Sequence, residues 1–201
     1  MQESNWFKQG IGRPVYEHEQ EFFTKVVEIF DKECPSQVNP LDTFLTGEGN
    51  PVLILIIPHH CLDGVSLVLW HEENHISIRW SHIGNLSTHD AIDFGIITHY
   101  IGKHPDWLNE LSECLRGEFN REIIIRCKYS KKSTVLYCAK YYLHLYGERY
   151  IGRTIKGINH LRCLNTFRNK EFKTSLALTD NLPFCLKPKL SKVTYKKHKM
   201  Q

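Results

Sequence analysis

Six consecutive aliphatic residues, Val52 to Ile57, stand between Pro51 and Pro58. The run is far too short to span a bilayer. Its length and its proline bounds read as a strand buried on both faces. A β-hairpin follows, with strands Val65–Glu72 and His75–Ser81. In the second of these, Ile76, Ile78 and Trp80 alternate with Ser77, Arg79 and Ser81, the period of a half-buried strand. Glu73-Asn74 forms the two-residue turn, which is not the favoured Asn-Gly type.

Helical patterns lie on both sides of this β region. Tyr16 to Glu33 is amphipathic, with Phe22, Phe23, Val26, Val27, Ile29 and Phe30 at helical spacing, and Cys34-Pro35 ends it. Ser87 with Asp90 three residues later has the form of a capping box. It predicts a helix burying Ala91, Ile92, Phe94, Ile97, Tyr100 and Ile101, with Gly102 as its stop. Pro105 opens a third helix, with Trp107, Leu108, Leu111, Cys114 and Leu115 inside and Gly117 as the stop.

The remaining pattern favours strands. Glu122–Tyr129 and Tyr150–Ile155 are predicted strands, and residues 130–133 a polar turn. Thr134–Tyr146 has the Val and Tyr content of a strand, while Val135, Cys138, Ala139 and Tyr142 also fit a helix ending at Gly147. The strand reading is adopted. The expected fold is α+β, mainly antiparallel sheet with about three helices packed on it. Residues 1–186 read as one domain, and 187–201, with six lysines, as a solvated basic tail.

Composition bounds the functional classes. The 201 residues are 41% hydrophobic and 24% charged, enough to bury a core without disulfides or metal. Seven cysteines, an odd number with no CxxC, fit free thiols better than a disulfide framework or a zinc ribbon. Met1–Gly10 holds no apolar stretch of the signal-peptide kind, so a cytoplasmic location is expected.

The net charge of +4 conceals a polarity. Residues 1–120 carry 7 Lys+Arg against 18 Asp+Glu, a net −11, and residues 121–201 carry 19 against 4, a net +15. Either the two parts neutralise each other inside the fold, or each turns a one-signed face to a partner.

The sharpest local motif is Pro58-His59-His60-Cys61-Leu62-Asp63-Gly64. It resembles the HxxxDG active-site motif of chloramphenicol acetyltransferases and peptide-synthetase condensation domains. That resemblance implies His59 as general base toward an acyl acceptor and Asp63 as its structural partner. In those families the second of two histidines precedes three residues and Asp-Gly. Here only two follow His60, so the role moves to His59. The other reading is a loop in which Asp63-Gly64 makes a turn.

Twelve histidines occur, eight of them between His59 and His104. His71 and His75 flank the predicted hairpin tip, but no HExxH or paired CxxC accompanies them, so neither a metal nor a cofactor is expected. GxGxxG, GxxxxGK[ST] and GxSxG are absent from the sequence. In the basic part, Arg126, Lys128, Lys131, Lys132, Lys140, Arg149, Arg153, Lys156 and Arg162 are interleaved with Tyr129, Tyr137, Tyr141, Tyr142, Tyr146 and Tyr150. That mixture suits phosphate contact and base stacking, and equally a half-exposed sheet with a Lys/Arg-rich outer face and its tyrosines packed inward.

From Val65 to Gly117 the order is a strand, a Glu-rich hairpin tip, an aromatic-containing strand, His82 and a capped helix near Asp90. In layout this resembles bacterial immunity proteins of contact-dependent and polymorphic toxin systems. The resemblance implies a non-catalytic protein that neutralises a cognate, often basic, toxin domain by charge complementarity. Glu72, Glu73, Asp90 and Asp93 would be the partner-binding residues. An acyltransferase using His59 and Asp63, and a nucleic-acid-binding protein using the basic part, are the alternatives.

Overall fold

The computed structural model describes residues 5–10, 12–47, 52–62, 64–83, 95–130, 136–155 and 167–177. It has mixed α+β content, and its sheets are mostly antiparallel. A six-stranded sheet runs in the order β1 (Gln9–Gly10), β2 (Phe44–Thr46), β3 (Val52–Pro58), β4 (Val65–Glu72), β5 (His75–His82), β6 (Ile96–Gly102). A four-stranded sheet runs β10 (Phe167–Thr174), β7 (Ile123–Ser130), β8 (Leu136–His144), β9 (Glu148–Ile155). Among the described strands only the short β1–β2 pair is parallel.

The aliphatic run forms β3, with Leu53 to Ile57 all buried. Alternate residues enter two clusters. Leu53, Leu55 and Ile57 face the main core, while Ile54 and Ile56 join Phe44, Val68 and Ile83 on the other face. Burial on both faces is why this strand reads as a continuous apolar run. The expected hairpin forms, with Glu72 opposite His75.

Helix α1 (Glu17–Glu33) packs Phe22, Val26 and Phe30, spaced four residues apart, into the main core. Its first turn is closed by the buried Glu19 carboxylate, which accepts from the Val15 and Tyr16 backbone N–H groups at 2.8 and 3.1 Å. Helix α2 (Trp107–Phe119) buries Leu111, Leu115 and Phe119. It runs past Gly117 because Phe119 seats edge-on against Phe30, a tertiary contact that offsets glycine's poor propensity. Each fully buried side chain of this size contributes about 2 kcal/mol of apolar burial.

One predicted helix is corrected over part of its length. Ile96–Gly102 is a strand, β6, paired antiparallel with β5 around a bulge at Ile78/Arg79. The pattern Ile97, Tyr100, Ile101 had suited a helix, but only Ile101 is buried, and Ile97 and Tyr100 face outward. The segment Ile-Ile-Thr-His-Tyr-Ile is rich in β-branched and aromatic residues, and β5 supplies the backbone partners it needs. The proposed cap, Ser87 to Asp90, lies outside the described residues.

The ambiguity at Thr134–Tyr146 resolves as strand for Leu136–His144. Ala139, Tyr141 and Leu143 point into the core, while the residues between them face out. Gly147, at φ +113, follows Tyr146 at φ +47 in the turn into β9, so it marks a hairpin rather than a helix end. The main cluster runs from Trp6 to Leu176 and takes residues from both helices and both sheets. None of the described helices is long and apolar enough to cross a membrane.

Candidate functional site

The charge polarity of the sequence becomes a polarity of layers. Helices α1 and α2 together hold nine Asp/Glu against three Lys/Arg. The four strands β7–β10 hold eight Lys/Arg against two Glu. The described ion pairs do not join one layer to the other. Glu33 pairs with Arg116, both in the acidic part, at 2.6 Å. Arg126 pairs with Glu148 and Glu171, and Lys173 with Glu122, all within the basic part. The one described pair of opposite parts, Arg121–Glu118, lies three residues apart at their boundary.

The predicted partner-binding residues divide. Glu72 sits at the end of β4, where its carboxylate accepts from the Trp70 indole at 2.8 Å and lies 3.5 Å from His75. Glu73 is exposed at the hairpin tip. Asp90 and Asp93 lie outside the described residues. His18 lies 5.3 Å, ring to ring, from His71 of β4, which brings the first turn of α1 over the hairpin end of the sheet. Glu17 and Glu21 are exposed on that end of the helix.

His59 lies in the loop between β3 and β4. It is fully buried, and its Nδ1 accepts from the Cys61 backbone N–H at 3.1 Å. Its ring stacks on His60 at 4.7 Å. Burial first, then the adjacent His60, pulls its pKa down to about 3, against the Ser175 backbone, which favours the charged form. In this conformation neither ring nitrogen meets solvent. Gly64, at φ +74, makes the turn into β4, and its carbonyl accepts from Ile83 N at 2.6 Å. Asp63 lies outside the described residues.

His71 and His75 are not brought together. His71 faces the core opposite Ile76, while His75 pairs with Glu72 on the other face and stacks on Tyr100. Among the described residues no three His, Cys, Asp or Glu side chains cluster as metal ligands. The described cysteines are free. Burial raises Cys34 to about 12 and Cys127 to about 11, which keeps both as thiols.

The basic strands form a groove. Arg126, Lys128, Lys140, Tyr142, Asn169 and Glu171 line a cavity of about 450 Å³, with Cys138 at its floor. Tyr141, by contrast, points inward and is fully buried. The sequence had presented these tyrosines as one set, and strand alternation sorts them onto two faces.

A polar centre invisible in the sequence sits at Glu118. Its buried carboxylate accepts from the Trp80 indole at 2.6 Å, His99 Nε2 at 2.8 Å and the Arg121 guanidinium at 2.5 Å. Burial is the largest single influence and pushes its pKa up, but the three donors together outweigh it and hold the carboxyl below its ordinary value. The arrangement ties the end of α2 to β5 and β6. A cleft of about 390 Å³ beside it is lined by Thr98, His99, Arg121, His144, Leu145 and Tyr146. No sequence spacing signals this centre, because its members lie up to 41 positions apart and meet only through sheet register.

Compared with family models, with curated proteins and with solved structures, the chain matches none.

Proposed function

We propose that this protein is a non-catalytic binding protein, an immunity-type inhibitor that neutralises a basic toxin domain by charge complementarity. The observation that supports the reading is the layering of charge, with Arg121–Glu118 as the one pair between the two parts among the described residues. Among the described residues the acidic helices find few basic partners, which leaves the field of Glu17, Glu21, Glu72 and Glu73 to extend into solvent. Such a field accelerates encounter with an oppositely charged protein and weakens as salt rises.

The test is a pull-down from host lysate at low salt, followed by mass spectrometry. A single basic protein at equal stoichiometry, released by salt and silenced by this chain in a toxicity assay, bears the reading out. Recovery of no protein, or of a protein whose activity the chain leaves untouched, ends it.

A further inference from the structure

The basic sheet offers a second surface, and register orders its outer side chains into rows. Along one row, Glu171 of β10, Arg126 of β7, Lys140 of β8 and Arg153 of β9 stand side by side across all four strands. Along the next row stand Lys173, Ile124, Tyr142 and Tyr150. A bulge between Tyr141 and Tyr142 keeps Tyr150 beside Tyr142, with their rings 5.6 Å apart. Arg126 lies 4.9 Å over the Tyr142 ring, and Tyr150 is 51% exposed.

Two features point to a ligand rather than to a solvated face. First, the cations are only partly used. Arg126 is held by Glu148 and Glu171, whereas among the described residues no carboxylate pairs with Lys128, Lys140 or Arg153. Second, the Tyr150 ring stands open to solvent next to those cations, with the half-buried Tyr142 ring beside it, instead of packing inward as Tyr141 does. Lys140 and Arg153 in one row, beside the rings of Tyr142 and Tyr150 in the next row on the same face, match a chain with phosphates along one edge and flat apolar groups along the other.

We infer that this outer face binds single-stranded nucleic acid. Lys128, Lys140 and Arg153 contact phosphates, and Tyr150 and Tyr142 stack bases. The surface and the class of partner differ from those of the inhibitor reading, so each stands or falls without the other. A duplex fits less well, because its bases are stacked on one another and present no open faces to the tyrosine rings.

The experiment is fluorescence anisotropy of a labelled twelve-nucleotide oligo-dT with the full chain. Binding at low salt is expected, with log affinity falling against log salt at a slope of roughly −2 for three phosphate contacts. Tyr150→Ala weakens it about tenfold, while Tyr150→Phe, which keeps the ring, leaves it unchanged. Lys140→Glu lowers both the affinity and the slope, and circular dichroism confirms that each variant is folded. Three results overturn the inference: no binding at low salt, equal binding by Tyr150→Ala and the parent chain, or equal affinity for heparin, an acidic peptide or a duplex of the same length.

Discussion

The indole N–H of Trp80 donates to the carboxylate of Glu118 at 2.6 Å, across 38 residues of sequence and with both groups buried. This bond, with those from His99 and Arg121, joins α2 to the six-stranded sheet through a single charged atom group. Replacing Glu118 by Ala leaves the Trp80 donor unsatisfied in the core and Arg121 without its counter-ion. The expected loss is about 3 kcal/mol, read from urea unfolding. Glu118→Gln, which keeps one acceptor but no charge, loses less. If both variants unfold with the parent midpoint, Glu118 does not join these elements.

Acid destabilises the fold, beginning well above the carboxylate range. His59 and His71 are both depressed to about 3, mainly by burial, and His71 is stacked on Phe22 at 4.3 Å. Lys103, His18 and His75 also disfavour a charge on His71. In the unfolded chain each imidazole titrates near its ordinary value of about 6.5. Between pH 6.5 and 3 the unfolded state therefore binds more protons, and stability falls as pH falls through that window. Above pH 6.5 both states are neutral at these sites and the dependence vanishes. Unfolding midpoints between pH 7.5 and 5 are expected to decline, and His71→Leu to flatten the decline. An unchanged slope in that variant would remove His71 from the account.

Gly152 of β9 pairs with Tyr141, and the ring of His82 stacks on that same tyrosine. A Cβ at Gly152 would stand 2.3 Å from the Cβ of His82 on β5. Glycine here lets the two sheets approach. Gly152→Ala forces β5 and β9 apart and is expected to cost about 2 kcal/mol. Gly117→Ala, at an open helix site, stabilises by a few tenths to about 1 kcal/mol. Thermal unfolding of the two variants should move in opposite directions.

Charge reversal at Glu17, Glu21 and Glu73 tests the inhibitor reading by its kinetics. These side chains are exposed, so the triple Lys variant is expected to stay within about 1 kcal/mol of the parent stability. Its association rate with the basic partner should drop at least tenfold at low salt and converge with the parent at high salt. A variant that associates at the parent rate places the contact elsewhere.

Elements whose apolar residues are set by one local period were legible before any coordinates. The β3 run is buried on both faces, the β4–β5 hairpin forms where it was expected, and Phe22, Val26 and Phe30 line one side of α1. Ile96–Gly102 misled because Ile97, Tyr100 and Ile101 satisfy a helical spacing, and the availability of β5 as a pairing edge cannot be read locally. The candidate surfaces were half legible. Lys and Tyr were visible as a mixture, but only strand parity separates Tyr142, which faces the groove, from Tyr141, which faces the core.

Composition and order determined that the chain is α+β, that its first part is acidic and its last part basic, and where its strongest strand and first helix lie. These follow from side-chain chemistry and short-range periodicity, which the chain carries residue by residue. Tertiary structure alone decided that the described acidic and basic parts share no ion pair beyond Arg121–Glu118 at their boundary, that His59 is enclosed, and that Glu118 gathers Trp80, His99 and Arg121. Each of those depends on which strands become neighbours, and pairing between distant segments is settled by the whole core at once.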